Sequence, residues 1–162
     1  MSNKRIAVFP GTFDPFTIGH QSIVERALNL FDEIIIAIGI NDAKSTFFTT
    51  EERKQMIDNL YKGHPKVRVE TYGELTVDFA KEYKASYILR GIRSVNDFEY
   101  EKTIADVNRE LSGVETIVLF TEPIYTHISS TIVRELIRFK KDVSGFVPEH
   151  LGLNDVLANR IN

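Results

Sequence analysis

Short apolar runs rich in Ile and Val recur along the chain at Ile6–Phe9, Ile34–Ile40, Val67–Val69, Tyr87–Leu89 and Thr116–Phe120, and each has the length of a strand. The segments between them carry apolar residues at helical spacing instead. These are Ile23, Ala27, Leu28 and Leu30, then Met56, Ile57 and Leu60, then Leu75, Phe79 and Ala80, and finally Phe98, Ile104, Val107 and Leu111. Strand and helix therefore alternate, which predicts parallel strands joined by helical crossovers. The run Ile34-Ile35-Ile36-Ala37-Ile38 has no polar alternation, as expected of a strand covered on both faces. Thr131–Phe139 and Pro148–Leu157 read as two closing helices, with Gly145 and Pro148 marking the break between them. The expected fold is α/β, a Rossmann-like doubly wound five-stranded parallel sheet with helices on both faces and C-terminal helices. It forms one domain over residues 1–162.

Composition narrows the function classes. With 20 Lys and Arg against 23 Asp and Glu, the net charge of −3 argues against a general nucleic-acid binder, so any basic site must be local. The absence of Cys removes disulfides, thiolate nucleophiles and Cys-ligated zinc, and is compatible with a cytoplasmic protein. The stretch Ile6–Phe9 before Pro10 is too short for a signal peptide or a membrane span, so no membrane association is expected.

In open parallel sheets ligands bind beyond the carboxyl ends of the strands, so the residues that follow each strand matter most. After the first strand the chain reads Pro10-Gly11-Thr12-Phe13-Asp14-Pro15, then reaches Gly19-His20 at a helix start. Neither GxGxxG nor GxxxxGK[ST] is present. Gly11 permits close approach of backbone to a ligand, and a neutral His20 near free helix amides can donate to a phosphoryl oxygen. Turn formation alone also accounts for Gly11, Pro15 and Gly19. Lys44 lies in the polar loop after the second strand, ahead of a Thr49/Glu52 capping box. Arg90-Gly91-Ile92-Arg93 follows the fourth strand, where two guanidinium forks can reach one cleft, or can simply balance Asp97, Glu99 and Glu101. Ser129-Ser130-Thr131 offers three hydroxyls at the start of a helix, more than one N-cap needs.

Taken together, Pro10–His20 (PGTFDPFTIGH), the Lys44 loop, Arg90–Glu101 (RGIRSVNDFEYE) and Ile128–Glu135 (ISSTIVRE) resemble the phosphopantetheine adenylyltransferase family, and the likeness extends over nearly the whole chain. The resemblance implies transfer of an adenylyl group from ATP to 4′-phosphopantetheine, giving dephospho-coenzyme A and pyrophosphate, with Mg²⁺ accompanying ATP. It implies that Thr12, Phe13 and His20 bind ATP, His20 steadying the transition state. By the same resemblance Lys44, Thr76 and Arg90 contact phosphopantetheine, with Thr12 shared between the substrates. Gly91, Ile92, Arg93 and Glu101, with the stretch Tyr125, Thr126, His127, Ile128, Ser129, Ser130 and Thr131, would hold the nucleotide. Lys44 and His20 are the catalytic candidates, both directed at the α-phosphoryl oxygens, and no protein metal ligand is expected. Family members are typically hexamers, and feedback by coenzyme A is plausible for the family. At Thr17 this chain departs from the histidine found in many relatives. Glu101 is open between holding the nucleotide ribose and facing solvent on the long helix. Spacing alone gives no role to His64, His127 or His150. Two other readings remain: a nucleotidyltransferase acting on another phosphorylated acceptor, such as nicotinamide mononucleotide, and a nucleotide-binding regulator without catalysis.

Overall fold

The computed structural model describes residues 4–41, 43 and 45–160. Five strands, β1 (Ile6–Gly11), β2 (Glu33–Gly39), β3 (Val67–Tyr72), β4 (Tyr87–Ile92) and β5 (Glu115–Phe120), form one sheet in the order β3-β2-β1-β4-β5. Every neighbouring pair is parallel. The crossovers run through α1 (Ile18–Ala27), α2 (Thr50–Leu60), α3 (Thr76–Glu82) and α4 (Val95–Ser112). The chain then closes with α5 (Ser130–Arg138) and α6 (Leu153–Asn159). Strand order reverses between β1 and β4, which opens a crevice at their carboxyl ends.

Strand periodicity explains why the middle of the sheet is so uniformly apolar. Ile34, Ile36 and Ile38 pack into one core with α1, α2, α5 and α6 residues such as Val24, Met56, Val133 and Val156. Ile35 and Ala37, one residue out of phase, pack on the opposite face with Val77, Phe79 and Ala80 of α3. The Ile-rich run of β2 is thus split residue by residue between two cores, and Ile34 through Ile38 are all fully buried.

Several elements end differently from the sequence expectation. β1 extends through Pro10 and Gly11, and β4 through Arg90, Gly91 and Ile92, so Arg90 belongs to a strand and only Arg93 follows it. The extension arises because Arg90 and Gly91 pair with Val118 and Leu119 of β5. α1 stops at Ala27, and Leu30 is exposed. The second closing helix divides into a single 3₁₀ turn, Glu149–Leu151, and α6, because Gly152 takes a left-handed φ of 76° between them. The largest departure is α4. Its periodic apolar residues Phe98, Ile104, Val107 and Leu111 face outward, 40–61% exposed, and its one buried residue is Glu101. Apolar period identifies the helix but not which of its faces the sheet covers.

Replacing Ile36 by Ala removes buried methylenes from the centre of the first core, where collapse is limited by strands on both sides. The expected loss is about 2–5 kcal/mol, read from the urea midpoint, and a loss below about 1 kcal/mol would contradict this account of the core.

Candidate active site

At the carboxyl edge, the β1–α1 segment, the β4–α4 turn and the segment entering α5 surround a cleft of about 540 Å³. Thr12, Phe13, His20, Arg90, Gly91, Arg93, Glu101, Tyr125, Ile128 and Ser130 line it, with Asp14, Thr46 and Arg134. A second cleft, of about 790 Å³, lies alongside and is lined by Thr12, Thr46, Tyr72, Thr76, Arg90 and Glu101 among others. Pro10, Gly11, Thr12, Thr46, Arg90 and Glu101 border both. Both volumes are of ordinary ligand-site size.

Among the sequence-identified residues, Ile92, Thr126, His127, Ser129 and Thr131 do not line the first cleft. Ile92 turns its side chain into the protein, 4% exposed, while Ser129 caps α5 by accepting from the Ile132 N–H at 3.2 Å. Ser130 Oγ, in contrast, reaches back to donate to Pro15 O at 2.8 Å and ties α5 to the first loop. The three hydroxyls therefore have separate duties, since Thr131 Oγ1 accepts from Arg134 at 3.3 Å. Lys44 lies outside the described residues; its sequence neighbours Ser45 and Thr46 line the first cleft. Neither His64 nor His150 lines either cleft.

Gly11 has a further reason to lack a side chain, beside its place on the border of both clefts. A Cβ there would stand 2.7 Å from Phe13 Cζ, so the group needing the space is a ring of the same loop. Phe13 is 4% exposed and has a φ of 50°. Any contact it makes in the cleft is made by its backbone and ring edge, with the body of the side chain serving as a wall.

His20 is the third residue of α1 and closes a capping box with Thr17. The Thr17 N–H donates to His20 Nδ1 at 3.0 Å, while Thr17 Oγ1 accepts from the His20 N–H at 3.3 Å. Nδ1 must therefore keep its lone pair, and the ring proton belongs on Nε2. The imidazole is half-buried among Phe9, Phe13 and Phe16, with ring centroids at 6.3, 5.1 and 5.3 Å. Burial lowers its pKa to about 3, and the nearby Arg93 and Arg90 charges push the same way. The result is a neutral ring with one N–H to give. Thr17, noted in the sequence as a departure, supplies the N–H that orients this ring and the hydroxyl that caps its helix.

Several contributing residues escaped sequence reasoning. Asp14 accepts from the Phe47 and Phe48 N–H groups, each at 2.8 Å, and so docks the segment after Lys44 onto the first loop. Arg134 donates to Asp14 O at 2.8 Å from within the cleft wall. Arg53, only 2% exposed, donates to Thr12 O at 2.6 Å and Gly39 O at 3.2 Å, joining the ends of β1 and β2. Its burial lowers its pKa, with Asp14 and Glu51 opposing. The signal for Arg53 was present, because it lies three and four residues before Met56 and Ile57 and so shares their buried face.

The family model described as "Cytidylyltransferase-like" matches residues 8–136. A phosphopantetheine adenylyltransferase of Bacteroides thetaiotaomicron is 61% identical over 150 residues, covering 93% of this chain and 99% of that protein. The chain belongs to the phosphopantetheine adenylyltransferase family. A second phosphopantetheine adenylyltransferase, from Porphyromonas gingivalis, is 55% identical over 146 residues, covering 90% of this chain and 95% of the relative. Among solved structures, a bifunctional NMN adenylyltransferase/ADP ribose pyrophosphatase from Francisella tularensis superposes with a TM-score of 0.70 at 19% identity. This chain is covered to 90% and spans 45% of that longer one, and the likeness concerns the fold alone. As a phosphopantetheine adenylyltransferase family member, the chain is a nucleotidyltransferase.

Because its folded pKa lies well below the ordinary histidine value, His20 should stay neutral from pH 8 to pH 5. The unfolded chain binds a proton more readily, so this group's contribution is fully present above about pH 6.5 and is lost as pH falls toward 3. Following the His20 ring signals by NMR across that range should show no titration near pH 6.5. A midpoint there would contradict the buried neutral ring.

Proposed function

We propose that the chain transfers the adenylyl group of ATP to 4′-phosphopantetheine, with ATP in the first cleft and the acceptor in the second. The observation that carries this reading is the common border of the two clefts at Pro10–Thr12, Thr46 and Arg90, where two anionic molecules would meet. The family membership supplies the identity of the acceptor.

An oxygen of the acceptor phosphate attacks the α-phosphorus in line, the new P–O bond forms, and the bond to the bridging oxygen breaks to release pyrophosphate. The attacking atom is already an anionic oxygen, so no protein nucleophile is required. Catalysis then rests on alignment, worth about 7–11 kcal/mol, and on donors aimed at the developing charge, each worth about 2.7–4 kcal/mol. His20 gives its Nε2–H to an α-phosphoryl oxygen, and Lys44 acts there with it. Arg90 takes the acceptor phosphate, with Thr12 between the substrates and Thr76 along the second cleft. Arg93, Ser130 and the start of α5 hold the nucleotide phosphates, where helix amides favour anions. Tyr125 and Ile128 wall the nucleotide.

ATP enters as its Mg²⁺ complex. Among the described residues there is no group of three or more His, Asp or Glu side chains able to hold a metal, and Asp14 is engaged by Phe47 and Phe48. An Mg²⁺ ion accompanying the triphosphate would offset phosphate charge there. Coenzyme A, which unites the pantetheine and adenylate portions, would compete for the same two clefts as a feedback ligand. No described helix is long and apolar enough to cross a membrane, and a cytoplasmic setting suits the substrates.

The same reading includes self-association, a homohexamer in this family. Its support is the exposed apolar surface of α4 with Val118, Phe120 and Ile124 at and beyond the β5 edge.

Pyrophosphate release in a coupled assay should require ATP, Mg²⁺ and 4′-phosphopantetheine together; release with nicotinamide mononucleotide instead would redirect the assignment. His20→Ala should lower kcat about 10²–10³-fold with the fold intact, and unchanged turnover would end its assignment. Phe120, 74% exposed, tests assembly: Phe120→Asp should shift sedimentation toward smaller species. An unshifted profile would place the interface elsewhere.

A further inference from the structure

Glu101 is the one buried residue of α4, a helix of 18 residues otherwise turned toward solvent. Its side chain is 9% exposed and both carboxylate oxygens are taken by Arg90. Arg90 Nε donates to Oε2 at 2.8 Å and Nη2 donates to Oε1 at 2.5 Å. A third donor, Nη1, is fixed to Pro10 O at 2.6 Å. Guanidinium has five N–H groups, so one on each terminal nitrogen is uncommitted among the described residues. Arg90 is 29% exposed and borders both clefts, as does Glu101.

We propose that Glu101 is a positioning residue for the acceptor phosphate, acting through Arg90: the carboxylate clamps one edge of the guanidinium, Pro10 O holds another nitrogen, and the two remaining N–H groups are presented to the acceptor. The inference rests on the assignment of the acceptor to Arg90 made above, and it gives Glu101 a task other than holding the nucleotide ribose.

Two physical points favour it. A buried ion pair adds little net stability over an apolar pair of similar volume, because desolvation offsets the attraction. Orientation is therefore the property that this pair supplies and an apolar pair would not. In addition, an arginine side chain has many rotamers, and an unclamped one must be ordered each time it binds phosphate. With Glu101 in place that ordering precedes binding, and the cost does not fall on acceptor affinity.

Steady-state kinetics on the full chain separate the alternatives. Glu101→Gln keeps size and shape but loses the bidentate charged fork, and should raise KM for 4′-phosphopantetheine roughly tenfold while KM for ATP changes less than about twofold. Glu101→Asp, which keeps the charge but withdraws it by one methylene, should fall between wild type and Glu101→Gln. In an Arg90→Ala background, adding Glu101→Gln should change neither constant by more than about twofold, since the residue through which it acts is gone. A rise in KM for ATP with acceptor KM unchanged would overturn the proposal, as would losses that simply add in the double variant. Hydrogen exchange at Arg90 Nε is read independently of turnover: it should be slow in the unmodified chain and at least about tenfold faster in Glu101→Gln. Equal exchange would overturn the clamp. Inactivity of the unmodified chain toward phosphopantetheine would instead count against the functional reading, leaving the exchange measurement to judge Glu101.

Discussion

Parallel pairing is the constraint from which the site follows. Each strand must be followed by a crossover before the next can pair, so all five carboxyl ends lie along one edge and the connecting turns emerge there. The edge opens where β1 and β4 send their crossovers to opposite sides. Residues as far apart as Thr12, Arg90 and Ser130 meet at this opening although no local interaction brings them together. Burial of β2 on both faces keeps the sheet rigid beneath the turns, because its isoleucines are divided between two separate cores.

Once the edge exists, polar contacts shape it at close range. Asp14, Ser130 and Arg134 link the first loop to the segment after Lys44 and to α5, and Arg53 pins the ends of β1 and β2 from below. These bonds run to backbone groups, which places whole segments and not just single side chains. Aromatic rings around His20 remove water from its sides, and the resulting loss of basicity makes it a hydrogen-bond donor without positive charge. Positive charge for phosphate binding must therefore come from other groups, the arginines among them. Of these, Arg90 is neutralised by its own carboxylate partner and contributes direction more than charge.

Much was legible in advance because it depends on local spacing. The uninterrupted Ile34–Ile38 run implied a doubly covered strand, and Thr49 with Glu52 formed the capping box that their spacing indicates. Residues after strands one, two, four and five line one cleft, since parallel order puts those loops on a single edge. The outward apolar face of α4 was not legible. Period reveals that a helix is amphipathic, whereas the side covered by the sheet depends on how its crossover lands. Asp14 was similarly hidden, its value lying in the Phe47 and Phe48 N–H groups that the three-dimensional path brings to it.

By itself the sequence determined the alternation of strand and helix, the parallel sheet, the family motifs and the chemical types available at the carboxyl edge, all of which are encoded by residues near one another along the chain. Only tertiary structure decided that Glu101 turns inward onto Arg90, that His20 is neutral with its proton on Nε2, and that two clefts meet at Thr12 and Arg90. The shared clefts arise from segments distant in sequence, whereas the His20 tautomer and the Glu101–Arg90 pair rest on partners three and eleven residues away that meet only once the turns and helix starts take their folded geometry.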